Sequence, residues 1–473
     1  LKRRDEKMNK LFENELKVIN IGLKSFNETL DERKVSSVQV DWKPPLISDS
    51  SLFDVIRNNS DKIETANKEA VKRILNSKPF LTGMGKAIDV IPGMKKNLLL
   101  HAGPPVAWDK MCGPMKGAVI GALIYEGFAK TYEEAEKVAA SGKIEFSPCH
   151  EHATVGPMAG IVSPTMPVFI LENEEFGNKG FCTMNEGLGK VLRYGAYDES
   201  VIERLRWMEN VLYPSLKKAI EKIGKIDLKN IIAQALHMGD EVHNRNRAAT
   251  SLLYRILAPE IVNTNEKEAA VSVLNFINSN DHFFLNLSMG VAKVSLDAAR
   301  NIENSSIVVV MSRNGTEFGI QLSGTGDKWF TGVSPIPEAL YFTGYTKDDA
   351  NPDIGDSSIT ETNGLGGFAI AAAPAIVQFV GGSTNDAVNY TLKMYEITAS
   401  ENTIYKIPYL NFRGTPTGID VIKVIGKNIL PFIDTGVAHK KAGIGQIGAG
   451  VLEAPVEPFK KAFIGFTNQL KNI

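Results

Sequence analysis

Four consecutive side chains able to ligate a metal, move a proton or attack a carbonyl stand at Cys149, His150, Glu151 and His152. They lie between two turn signals, Ser147-Pro148 and Gly156-Pro157, so a loop of forced shape is expected. Ala159 and Gly160, just beyond, let a backbone come close to a ligand or a strand. The metal reading is the weaker one, because no second cluster stands at zinc spacing and no H-E-x-x-H occurs. The acid/base reading is stronger: histidine titrates near neutrality and an adjacent glutamate raises its pKa. The plainer alternative is a polar loop whose histidines bond backbone carbonyls.

A second dense polar run spans residues 237–247, His-Met-Gly-Asp-Glu-Val-His-Asn-Arg-Asn-Arg. Read as the continuation of an amphipathic helix from Leu228, it puts Asp240, His243, Asn244 and Arg247 on one face. Asn and His are poor helix formers, so their place in mid-helix points to hydrogen bonding. On that helix Arg245 and Arg247 diverge by about 200°. Arg247 is then tied into an ion pair with its neighbours, and Arg245 is freer to meet an anion. Smaller polar groups stand beside glycines: Asn185-Glu186, Arg313-Asn314, Asp356, and Thr360-Glu361 ahead of Gly364-Leu365-Gly366-Gly367. Gly113-Pro114 opens a long apolar helix whose first amides, with Lys116, form a possible phosphate or carboxylate site. The alternative there is a buried helix whose Gly117 and Gly121 permit close packing.

The elements that must position these groups alternate in type. Residues 17–22 read as a strand, 26–32 as a helix and 37–42 as a second strand, the order of a Rossmann-like unit. Asp41 falls where an acid would meet a ribose hydroxyl, but G-x-G-x-x-G is missing. Residues 66–76 predict a helix, 80–84 and 166–173 strands, 198–223 a helical region, and 307–311 a strand whose hairpin partner holds Ile320-Gln321-Leu322. The expected architecture is multidomain, α/β and α+β. It comprises a Rossmann-like N-terminal unit (14–95), a central α+β domain with the Cys-His-Glu-His loop (96–210), a helical segment (211–280) and a glycine-rich C-terminal α+β domain (281–473).

Composition narrows the function classes. Hydrophobic residues make up 43% and charged residues 23% of 473, ordinary for a globular protein with real cores. A net charge of -1 supplies no basic field for nucleic acid. Three cysteines without a CxxC, and a charged start lacking an apolar core, point to the cytoplasm and free thiols. The uncharged run 364–382 is long enough to span a bilayer but too weakly apolar, so a buried core helix is expected. No cofactor, stoichiometric zinc or membrane span is expected.

With S-P-C-H-E-H at 147–152 and N-P-D-I-G-D at 351–356, the chain resembles the YlbE-like family, long filed as a domain of unknown function. The likeness covers segments 17–45, 100–127, 146–207, 233–251, 311–330 and 350–382, and the tail through Gly450. It implies a subunit of oxamate carbamoyltransferase, which converts oxalurate and phosphate to oxamate and carbamoyl phosphate in allantoin and purine breakdown. It also implies an FdrA-like partner, and a homo-oligomer is expected. The aspartate and ornithine carbamoyltransferase motifs S-T-R-T and H-P-x-Q are absent, so a shared reaction does not imply their fold.

That chemistry distributes the candidate residues. A dianionic phosphate attacks, an oxyanion forms, and a poor amide leaving group departs. Arg245, Arg247 and Arg313 suit the anions by their bidentate geometry. His150 or His152 is the candidate acid, tuned by Glu151 or Glu186, and Asn185, Asn244 and Asn314 are candidate donors. His243 joins the catalytic set, with Asp356, Thr360, Glu361 and Lys116 expected at the substrate. Two other readings stay open: a non-catalytic assembly or regulatory subunit, and a metal-dependent amidohydrolase using Cys149, His150 and His152.

Overall fold

The computed structural model describes residues 16–40, 42–376 and 382–471. It is a mixed helix-and-sheet protein with several small sheets. The central sheet has five strands in the order Thr154–Val155, Lys179–Thr183, Pro167–Asn173, Pro79–Lys86 and Ile226–Asp227. Pro167–Asn173 (PVFILEN) is mostly buried, as its run of Val, Phe, Ile and Leu requires. The helix Leu285–Asp297 lies against it, with nearly every side chain buried. A Cβ at Gly290 would come within 2.9 Å of Leu171, so only glycine lets helix and sheet approach this closely.

The C-terminal part carries three further sheets among the described residues, one of them the two-stranded pair Thr398–Ile407 and Arg413–Ile419. Val308–Asn314 and Glu317–Leu322 form the expected hairpin around Gly315, which sits at φ +82°. Phe330–Val333 and Ile354–Gly355 flank it, and the last pairing sets Arg313 opposite Gly355. The remaining sheet runs Glu338–Tyr341, Gln446–Glu453, Phe432–Ala438. One large hydrophobic core extends from Ala70 to Ile407, so distant segments of the chain close over the same interior.

At the N-terminus Lys17–Ile21 and Ser36–Val40 pair in parallel around the helix Lys24–Glu32, the strand–helix–strand order read from sequence. Asp41 lies outside the described residues. Two expectations fail. The helix Leu228–His237 stops at Gly239 (φ +91°), and residues 238–246 are a loop, before a new helix Arg247–Thr264. The glycines and Pro374 likewise break the expected core helix after residue 364 into the short 3-10 turns Gly366–Phe368, Ile370–Ala372 and Pro374–Ile376, buried as expected. The end of that run, 377–381, lies outside the described residues. Among the described residues, no helix is long and apolar enough to cross a membrane.

Candidate active site

The strand Glu145–Pro148 leads into a 3-10 turn, Cys149–His152, closed by Ala153 in the left-handed region. The turn sends its side chains in different directions. Cys149 is buried and donates to the Gly160 carbonyl, 3.2 Å away, and burial pushes its thiol well above the ordinary range. Glu151 is exposed and accepts from the Trp329 indole at 3.2 Å. The His152 ring bonds the Pro92 carbonyl (2.7 Å) and Ser147 Oγ (2.9 Å). His150, buried like Cys149, sets its Nε2 3.3 Å from Asp356 Oδ1. The four residues therefore form neither a shared metal centre nor a reactive thiol, and the amidohydrolase reading built on them loses its geometry.

Asp356 is the hub of this first buried cluster. It accepts the amides of Gly103 and Gly156, each at 3.0 Å, and the hydroxyl of Ser312. Burial opposes its charge, but His150, Ser312 and the Gly103 amide outweigh burial and hold the carboxyl below its usual range. Burial dominates at His150 and lowers its pKa against the pull of Asp356. Arg313 lies alongside, fully buried, bidentate to Asp353 (2.6 and 3.1 Å) and bonded to the Gly355 carbonyl. Asn314 is spent on the Pro104 carbonyl and on the turn to Glu317. Neither has a group free for substrate.

A second buried cluster forms around His243. Val242 sits at φ +58°, a left-handed conformation that strains a β-branched residue. The amides of His243 and Arg245 bond Glu241 Oε1 at 3.2 and 2.8 Å, which fixes the loop. His243 Nδ1 stands 2.7 Å from both Glu361 Oε1 and Asp434 Oδ1. Glu361 also accepts the Gly367 amide (2.9 Å) and the Thr360 hydroxyl (3.0 Å). Burial works against a charged His243, but Glu361 and then Asp434 overcome it and push its pKa up to about 10. Burial raises Asp434 to about 6 against the pull of His243, and burial with the nearby Asp434 charge raises Glu241 well above its usual value.

This cluster forms part of the wall of a cleft of about 370 Å³ between the central, helical and C-terminal segments. Arg193, His243, Asn244, Arg245, Arg247 and His282 face it, with Ser357 and Gly436 from the C-terminal side. Arg245 pairs with the buried Asp240 at 3.4 Å, and Arg247 reaches Asp281 only at 3.7 Å. Arg193 donates through Nε and Nη2 to the Gly187 carbonyl. Glu186 lies behind it and accepts the amides of Leu192 and Arg193. Met158, at φ +56°, is a strained residue on the cleft wall itself.

A model of the family described as oxamate carbamoyltransferase subunit AllG matches residues 144–357. Over 404 residues the chain is 44% identical to the oxamate carbamoyltransferase subunit AllG of Escherichia coli (strain K12), covering 85% of this chain and 96% of that protein. The chain belongs to the AllG family. It is also 47% identical over 462 residues to the uncharacterized protein YahG of Escherichia coli (strain K12), covering 96% of this chain and 98% of that one. A crystal structure of a conserved protein of unknown function from Enterococcus faecalis V583 shares 52% identity and a TM-score of 0.85, over 86% of this chain and 98% of that one.

The stretch matched by the AllG model holds both the Cys149–His152 turn and the 238–246 loop, but Glu361 and Asp434 lie beyond it. Of the residues singled out in sequence, His243, Asn244, Arg245 and Arg247 reach the cleft, while Glu361 bonds His243 and Thr360 bonds Glu361 in turn. His150, Glu151, His152, Arg313, Asn314 and Asp356 do not line it. Asn185 is bonded to Asn286 and to the Gly187 amide. Lys116 lies over the Trp108 ring, and a Cβ at Gly113 would strike the Lys440 carbonyl, so packing fills the start of that helix, where the sequence offers an anion site. Asp434, Arg193 and His282 were missed. Asp434 and His282 stand in runs with ordinary strand and helix-end character, and only the Arg193-Tyr194-Gly195 turn carried a local signal.

Proposed function

We propose that this cleft is the carbamoyl-transfer site of an oxamate carbamoyltransferase complex, with oxalurate and phosphate as its substrates. The observation that carries the reading is the convergence of Arg193, Arg245 and Arg247 on one cavity beside Asn244. Three guanidinium groups match two anions, the phosphate and the oxalurate carboxylate, and Arg supplies the bidentate geometry both prefer. Among the described residues, Asn244 Nδ2 is buried without an acceptor, so it is available to a developing oxyanion. His243 turns Nδ1 to its carboxylates and leaves Nε2 as a donor toward the reacting groups.

In the reaction a phosphate oxygen bonds the carbamoyl carbon and the carbon–nitrogen bond to the oxamate amide breaks. The proton carried by hydrogen phosphate ends on the leaving nitrogen, which balances the step. The AllG name of the relative speaks for a subunit, so a partner chain, FdrA-like on the resemblance above, belongs to the working complex. The test is carbamoyl phosphate formation from oxalurate and phosphate by the chain alone, with partner subunits, and with Asn244→Ala in the complex. Loss of activity with Asn244→Ala in a folded, assembled complex is expected. Full activity in that variant would assign the chain a non-catalytic role.

A further inference from the structure

We propose that His243, Glu361 and Asp434 bind a divalent cation of the Mn2+ type in the cleft wall. The three donor atoms, one imidazole nitrogen and two carboxylate oxygens, all lie within 4.8 Å of one another and come from buried side chains. A cation about 2.1 Å from each ligand holds neighbouring octahedral donors about 3 Å apart. The 2.7 Å separations from Nδ1 to each carboxylate are close to that spacing.

Hydrogen bonding alone leaves this cluster unsatisfied. Nδ1 carries at most one proton, which the geometry directs to Glu361. Among the described residues nothing donates to either oxygen of Asp434, nor to Oε2 of Glu241, although both side chains are fully buried. A buried carboxylate without donors is costly, and a cation is one of the few groups that removes the cost. Among the described residues, the acidic side chains Asp240, Glu241, Glu361 and Asp434 stand around His243 and are paired with His243 and Arg245. A divalent charge restores the balance. Mixed imidazole and carboxylate ligation suits a first-row divalent ion better than Mg2+ or Ca2+.

Backbone placement supports a built site. A Cβ at Gly366 would fall 2.2 Å from Glu361 Oε1 and 3.0 Å from His243 Nδ1, so glycine there leaves the donors uncovered. His243 and Gly436 both line the cleft, so a cation on these ligands borders the space open to substrate. Its use in polarising a carbamoyl or phosphate oxygen rests on the transfer-site reading; its binding does not.

The experiment titrates Mn2+ into the EDTA-treated full chain with no substrate present, so its failure is separate from failure of the transfer-site reading. One Mn2+ per chain is expected, with an imidazole-nitrogen coupling in pulsed EPR that His243→Gln abolishes. Asp434→Asn and Glu361→Gln should each weaken binding by roughly 100-fold, since even groups behind the ligands are worth about 10 to 100-fold. Absence of saturable binding at millimolar Mn2+ overturns the proposal, as does bound Mn2+ without nitrogen coupling. Unchanged affinity in either folded carboxylate variant overturns it too. Should neither variant fold, the nitrogen coupling in the unsubstituted protein decides.

Discussion

His150 Nε2 stands 3.3 Å from Asp356 Oδ1, and neither side chain reaches solvent. The contact ties the Cys149–His152 turn to the Asp356–Ser358 turn, and Ser357 in the latter borders the cleft. The pair does not touch the cavity itself. It packs behind the cleft wall that Ser357 lines.

Asp356 satisfies two backbone amides and a hydroxyl, with His150 Nε2 3.3 Å away. Asp356→Ala strands all of these donors in a dry interior and is expected to destabilise the protein by about 3–5 kcal/mol. Asp356→Asn keeps one acceptor oxygen and should fall in between. Urea unfolding checks both, and an Asp356→Ala protein as stable as the parent would remove Asp356 as the hub.

Acid sensitivity follows from the same pair, with the sign set by depressed values in the native state. His150 titrates below its ordinary 6.5 because burial disfavours the cation. The unfolded chain therefore takes up a proton that the native ring refuses, and stability falls as pH drops from about 6.5. Asp356, also depressed, contributes stability above 3.8 that is lost only as pH falls through its lower native pKa. His282, lowered to about 3 by burial, pulls in the same direction as His150. His150→Gln should flatten the stability profile between about pH 7 and pH 5. An unaltered slope would show that His150 titrates normally.

Gly103 offers a sharper geometric test. It sits at φ +82°, and a Cβ there would lie 2.4 Å from the Asn314 amide nitrogen. Gly177, at φ +73°, has nothing within 4 Å of the same position. Gly177→Ala carries only the left-handed penalty of about 1–2 kcal/mol. Gly103→Ala adds a clash with the backbone of the strand Val308–Asn314 and should cost about 3 kcal/mol or more, since that strand is held on both sides in its sheet. Equal melting temperatures for the two variants would contradict the tight approach.

What the sequence disclosed depended on whether the signal was local. Strands such as Pro167–Asn173, and the hairpin around Gly315, follow from apolar runs punctuated by glycine. The polar runs near 150 and 243 were visible as compositions, but which side chain turned inward was not. His150 and His152 stand two apart in one turn, and only the packing of Asp356 against His150 separates them. The partners of His243 lie more than a hundred residues away in two other elements, with no spacing rule to connect them. The helix expected across residues 240–247 failed for a local reason: Gly239 takes a left-handed turn, and the residues after it satisfy Glu241 instead of a helical ladder.

That failure reverses the roles expected for the two arginines. Continued as a helix, the segment made Arg247 the structural partner of Asp240 and left Arg245 free. In the loop it is Arg245 that meets Asp240, at 3.4 Å, with Asp240 almost wholly buried. Arg247 opens the next helix with its side chain 74% exposed and only a 3.7 Å approach to the exposed Asp281. Arg247→Ala should therefore leave unfolding within about 0.5 kcal/mol of the parent. Arg245→Ala should destabilise by about 1–2 kcal/mol, a figure reduced for its partial exposure, because Asp240 loses its cation. Both line the cleft, so both should weaken phosphate binding, each by about 2 kcal/mol if the contact is charge-assisted. Measuring unfolding and phosphate affinity on the same two variants separates the effects. A large loss of stability confined to Arg247→Ala would restore the helical reading.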